Sequence, residues 1–132
     1  MRLGSKLAGM VATGAVAVVC GVAAAGEDPA SVSMVDLLAN EERYVARVIE
    51  VVGYLHVDTS LYLTKEHAEA FDGLSAVLVS DTSEGDITSS PCIGSYVRVR
   101  GKLIETDPQS YVLVDVNQIF QPSTNSFCWK RP

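Results

Sequence analysis

Residues 47–57, Arg47-Val48-Ile49-Glu50-Val51-Val52-Gly53-Tyr54-Leu55-His56-Val57, decide the fold class. The odd positions Ile49, Val51, Gly53, Leu55 and Val57 are apolar or glycine. The even positions Glu50, Tyr54 and His56 are polar or amphipathic, with Val48 and Val52 as exceptions. Successive side chains of a strand point to opposite faces, so this period of two marks a long strand with one face on a core. Gly53 in its middle marks a bulge or sharp bend, a feature that lets a small barrel curl.

Working outward, Asp58-Thr59-Ser60 reads as a turn and Leu61–Thr64 as a short second strand. Lys65–Phe71 reads as a charged helical turn or two, ended by Asp72-Gly73, and Ser75–Ser80 as a third strand. Asp81–Ser95 is a polar loop of about fifteen residues, a length that marks a functional or mobile segment. In the fourth strand, Tyr96–Glu105, Val97, Val99, Gly101 and Leu103 share one face, and Arg98, Arg100 and Lys102 the other. After the turn at Asp107-Pro108, Tyr111–Phe120 is the fifth strand. Upstream, Ser33 caps a short helix over Met34–Ala39, with Asp36 near its positive end and Asn40 as its stop.

Five strands with glycines in the first and fourth predict a mainly β protein, a small five-stranded OB-type barrel. It carries a short N-terminal helix and a short helix between strands 2 and 3. The stretches Asp36-Leu37-Leu38-Ala39-Asn40, Arg47–His56, Leu61-Tyr62-Leu63 and Val97–Leu103 resemble bacterial exported single-domain OB-fold proteins of uncharacterised role. The resemblance covers roughly Ser33–Phe120 and implies the fold; it transfers no catalytic residue. In one departure, such sequences carry an Asp-Gly-type turn before the first strand, where this chain has Val45-Ala46.

The chain opens with Arg2 and Lys6, has no charge from Leu7 to Ala25, and passes through Ala23-Ala24-Ala25-Gly26 to Glu27 and Asp28. A basic start, an apolar middle and small residues at the exit form a secretory signal peptide over 1–25. A retained membrane anchor and lipidation at Cys20 are the competing readings, and bulky Val19 before Cys20 argues against the second. The organisation expected is a signal peptide over 1–25, a flexible leader over 26–32, an OB-fold domain over 33–121 and a C-terminal tail over 122–132. Removing 25 of the 132 residues leaves 107, a single-domain length. With Arg2 and Lys6 gone, eight bases face sixteen acids, a net charge of −8. Phosphate binding relies on Lys and Arg, so this balance disfavours nucleic acid and an anionic membrane surface.

Cys20 leaves with the signal peptide, and Cys92 and Cys128 remain, 36 positions apart. An even count in an oxidising compartment reads as a disulfide, worth about 3–4 kcal/mol for this loop in the chain-entropy model. It would staple the tail to the barrel. Neither a Cys-x-x-Cys nor paired histidines accompany the two cysteines, so no metal site is expected.

Two surfaces are candidates for binding. Arg98, Arg100 and Lys102 form a basic stripe that suits an anion, or else cross-strand pairs with Glu50 or Asp115. OB barrels bind ligands on strands 2 and 3 and on the loops joining strands 1–2 and 4–5, where Tyr54, Tyr62 and Tyr111 offer rings. Asp58, Glu105 and Asp107 make those loops acidic, which suits a sugar or a peptide better than a polynucleotide. Asp81–Asp86 has the wrong spacing for a calcium loop, since Cys92 stands at its twelfth position. No nucleophile elbow, P-loop or dinucleotide fingerprint is present, so no catalytic residue and no cofactor is assigned.

The reading is a non-enzymatic exported module, periplasmic or secreted. It would recognise a protein, peptide or glycan of the cell envelope and have no membrane contact after cleavage. A nucleic-acid-binding OB module is the alternative. N-terminal sequencing of the exported protein is expected to begin at or near Gly26; a start at a lipid-modified Cys20 contradicts the cleavage reading.

Overall fold

The computed structural model describes residues 28–80 and 86–132. Residues 1–27, which include the expected signal peptide and Cys20, and residues 81–85 of the acidic loop lie outside the described residues. Among the described residues eight strands occur: β1 Ala30–Val32, β2 Val48–Leu55, β3 Ser60–Tyr62, β4 Ala76–Val79, β5 Ser95–Asp107, β6 Ser110–Val114, β7 Gln118–Gln121 and β8 Ser126–Lys130. Three short helices accompany them, α1 Met34–Ala39, α2 Glu41–Tyr44 and α3 Lys65–Glu69.

The strands β2, β3, β4, β6 and β5 pair in that order, and β5 pairs back onto β2, closing a five-stranded barrel of OB type. All these pairings are antiparallel except β4 with β6. The closing pair is the longest, with an unbroken register from Val48↔Lys102 to Leu55↔Ser95. Alternation behaves as the sequence pattern requires. Ile49, Val51 and Leu55 of β2 and Val97, Val99 and Leu103 of β5 are fully buried, and Arg98 and Arg100 lie outside. Val57 is the exception, exposed just past the end of β2.

Gly53 is not a bulge, because the β2–β5 register runs through it without a shift. The strand β3 instead crosses close over it. A Cβ at position 53 would lie 2.8 Å from the Leu61 side chain and 2.8 Å from the Tyr62 carbonyl oxygen. The irregularity in the barrel lies between Glu105 and Asp107, at the end of β5.

Each end of the barrel is closed by residues outside it. At the start of β2, Ser33 Oγ accepts the Asp36 N–H at 3.0 Å and α1 buries Met34 and Leu37. The Asp36 carboxylate then accepts from the Tyr44 hydroxyl and from Asn40 Nδ2 (2.8 Å), tying α1 to α2. These bonds, that to Tyr44 first, hold the Asp36 carboxyl below its ordinary pKa. At the other end Gly94 N–H donates to Leu55 O at 2.8 Å, and buried Ile87 and Cys92 join the core. Cys92 is bonded to Cys128, with an S–S distance of 2.07 Å and Cα atoms 5.3 Å apart.

Three segments differ from the sequence reading. Ala30–Val32, read as leader, adds to β2 in parallel, with Val32 buried. The expected single fifth strand over Tyr111–Phe120 is two strands, because Asp115 has φ 57° and turns the chain off the ladder. The tail is a hairpin strand: β8 pairs with β7 through a turn whose Asn125 has φ 54°.

Ala46 has φ 69°, and its N–H is bonded to Leu103 O at 2.7 Å. A Cβ in this left-handed region costs about 1–2 kcal/mol. Ala46→Gly is therefore expected to raise stability by about 1 kcal/mol after the added chain entropy of glycine is offset. Gly53→Ala is expected to lower it by about 1–3 kcal/mol, because a backbone carbonyl cannot move aside for a methyl group. Urea unfolding of both variants measures this; destabilisation by Ala46→Gly, or a neutral Gly53→Ala, contradicts the assignment.

Candidate functional site

The basic stripe lies on the outer face of β5 as its alternation requires, but its three members have different surroundings. The Arg98 guanidinium lies over the Phe120 ring at 5.2 Å. Arg100 stands directly across from Glu50, with Nη2 3.4 Å from Glu50 Oε2. This pair is exposed enough to contribute little to stability. Lys102 is half-buried and makes no ion pair within 4 Å among the described residues. Asp115, the other acid expected opposite the stripe, shares a cleft with Arg100 and Lys102.

The three tyrosines are not brought together into one surface. Tyr62 is almost wholly buried, which removes its ring from the candidate binding face. Its hydroxyl donates to Asp58 Oδ2 at 2.9 Å, and the His56 ring stands edge-on between Tyr62 and Phe71. Asp58 also accepts the Ser60 N–H at 2.9 Å, so this group builds the turn between β2 and β3. Burial and the Asp58 contact both raise the Tyr62 pKa. Tyr54 is half-buried and packs edge-to-face on Tyr96, with ring centroids 5.3 Å apart. Tyr96, absent from the sequence candidates, is 47% exposed, and its hydroxyl accepts the N–H of Lys65 at 3.0 Å.

Tyr111 lies in a groove of mixed lining that holds several exposed leucines. It is the second residue of β6 and stands opposite Glu105, beside the loop that joins β5 to β6. A groove of about 350 Å³ runs there between Leu38, Leu74, Leu78, Tyr111 and the loop residue Gln109. It continues past Glu41 and Glu42 of α2. Leu74 is 91% exposed and Leu78 43%, so the walls are open to solvent. No Lys, Arg or His lines either part. The Tyr111 pKa is raised by burial first, then by the charges of Glu105, Glu42 and Glu41. Burial also raises the Glu41 pKa.

Leu74, Leu78, Glu41 and Glu42 were not singled out from sequence. The residues Gly73–Ser75 form a single 3-10 turn, too short to carry a periodic signal. Glu41 and Glu42 lie in a one-turn helix that follows α1 at Asn40.

Among the described residues no group of three or more His, Cys, Asp or Glu side chains is placed to hold a metal ion. Among them too, no helix is long and apolar enough to cross a membrane. Comparison with protein-family models, with curated proteins and with solved structures gave no match.

The acid field at the groove has a direct readout. Tyr111 is expected to titrate above an ordinary tyrosine, whose pKa is about 10. Replacing Glu105, Glu42 and Glu41 together by Gln is expected to lower its midpoint. Ring-carbon NMR titration of Tyr111 measures this. An unchanged midpoint in the triple variant would show that the glutamates do not set the groove potential.

Proposed function

We propose that this chain is a non-enzymatic, exported binding module of the cell envelope that engages an extended protein or peptide segment. The groove beside β4 and β6 carries the reading. Leu74 and Leu78 stand in solvent beside the half-buried Tyr111, with Glu41 and Glu42 in the lining and Glu105 opposite Tyr111 on β5. The leucines reward burial of a Leu-sized side chain by about 1.5–3 kcal/mol. The glutamates select cations and steer them in by long-range attraction. The ligand is then a segment that alternates apolar and Lys or Arg side chains.

Export is supported by the basic–apolar–small pattern over residues 1–25 and by the disulfide, which persists in oxidising compartments. The groove adjoins the β5–β6 loop, one of the loops an OB barrel uses for ligands. The same surface disfavours nucleic acid, since a polyanion would meet Glu41, Glu42 and Glu105 with no lining base to contact its phosphates.

The test is a fluorescence titration of the oxidised protein with labelled peptides. A Leu-Lys alternating peptide is expected to bind and to weaken with rising salt. Its Leu-Glu counterpart and single-stranded DNA are expected to bind at least about tenfold more weakly. Leu74→Ser and the triple Glu→Gln variant are each expected to weaken the Leu-Lys peptide by about tenfold. Equal binding of the Leu-Glu peptide, or tighter binding of DNA, overturns the reading.

A further inference from the structure

A second cleft lies away from the peptide groove, and its chemistry differs. One edge of β5 is paired with β2 from Ser95 to Lys102. Its other edge changes partner: β6 holds it up to Lys102↔Val114, and β7 takes over from Val99↔Ile119. Between those pairs Asp115, at φ 57°, carries the chain outward. The ladder therefore forks opposite Arg100 and Gly101, and a cavity of about 390 Å³ occupies the fork.

The fork is held in place from behind. Arg131 N–H donates to Asn117 O at 2.8 Å, and its guanidinium donates to Val116 O at 2.8 Å. The strand that brings Arg131 there is fixed to the barrel by the Cys92–Cys128 bond. The loop that lines the cavity is thus anchored before any ligand arrives.

The lining supplies a particular set of groups. Arg100 and Lys102 are cations on one wall; Asp115, Asn117 and Gln118 form the opposite wall, and Val48 adds an apolar patch that is 38% exposed. Lys102 has no acid within ion-pair distance among the described residues. Arg100 uses one nitrogen toward Glu50, which leaves other guanidinium donors available. A simple anion would satisfy the bases and meet the Asp115 carboxylate. A neutral sugar would suit Asp115, Asn117 and Gln118 and leave Lys102 uncompensated. A sugar carrying a carboxylate answers both walls: the acid takes the cations, the hydroxyls bond the carboxylate and amides, and a C–H face lies on Val48. A cavity of this size lies at the small end of ordinary ligand sites, which suits one sugar ring.

We propose that the fork between β6 and β7, lined by Arg100, Lys102, Asp115, Asn117 and Gln118, binds one carboxylated sugar residue of an acidic glycan. It shares no lining residue with the peptide groove, so the two sites stand or fall separately.

The experiment is an NMR titration of the oxidised protein with trigalacturonate, with the neutral galactose trisaccharide and with inorganic phosphate. Trigalacturonate is expected to shift the amides of residues 100–102 and 115–118, and the other two to bind at least about tenfold more weakly. Lys102→Gln and Gln118→Ala are each expected to weaken trigalacturonate by about tenfold or less, with amide spectra that retain the barrel pattern. Leu74→Ser is expected to leave it unchanged. Equal binding of the neutral sugar shows that the cations do not read the acid, and equal binding of phosphate shows a simple anion site. Either result overturns the proposal, as does trigalacturonate binding that both fork variants leave intact.

Discussion

The eight-residue antiparallel ladder between β2 and β5 is the constraint on which the other elements depend. It closes the barrel and sets the faces of both long strands, since a slip of one residue would bring Arg98 and Arg100 into the core. Every other barrel strand is shorter, and each long strand has a second edge that no single partner covers. On β2 that edge is shared by β1 at Ile49–Val51 and by β3 at Tyr54–Leu55. On β5 it is shared by β6 and β7. A gap follows wherever the partner changes, and the cavity at Arg100 and Lys102 is one such gap.

Closure of the ends follows from the same geometry. A short barrel of five strands cannot cover its own openings. Leu37 and Tyr44 close one from α1 and α2, and Ile87 and Cys92 close the other from the loop after β4. The disulfide joins that second plug to the terminal hairpin, so one covalent bond secures the barrel end and the strand beside the fork together. Phe120 and Phe127 stack edge-to-face across the same hairpin at 5.3 Å, with Arg98 and Lys130 over their rings.

The barrel was legible in the sequence because its long strands carry a local signal. Alternation in Ile49–Leu55 and Val97–Leu103 states which side is inside, and Ser33 with Asp36 states where α1 begins. Cysteine parity was enough to pair Cys92 with Cys128. Residues 111–120 are apolar at both ends, and the poor strand formers Asp115 and Asn117 between them were the local sign of the break that the sequence reading passed over. The rest of what escaped depends on distant parts of the chain. Tyr62 looks like an outward ring in a short strand, yet its hydroxyl is held by Asp58 and His56 and Phe71 gather around it. Tyr111 was named from sequence, but its neighbours Glu41, Glu42 and Leu74 come from α2 and a 3-10 turn that no period reveals.

Two clefts with opposite electrostatic character therefore open on one small barrel. The groove at Tyr111 sets exposed leucines beside glutamates, and the fork at Lys102 carries two cations. The proposed occupants, a cationic segment and an acidic sugar, differ in the same sense. The central claim is that the Tyr111 groove is the peptide-binding surface. Amide chemical-shift mapping of the oxidised protein with the Leu-Lys peptide tests it most directly. The account predicts shifts concentrated at Leu38, Glu41, Leu74, Leu78, Gln109 and Tyr111, with residues 100–102 and 115–118 undisturbed. Shifts centred on the fork, or on Tyr54 and Tyr96, would contradict it.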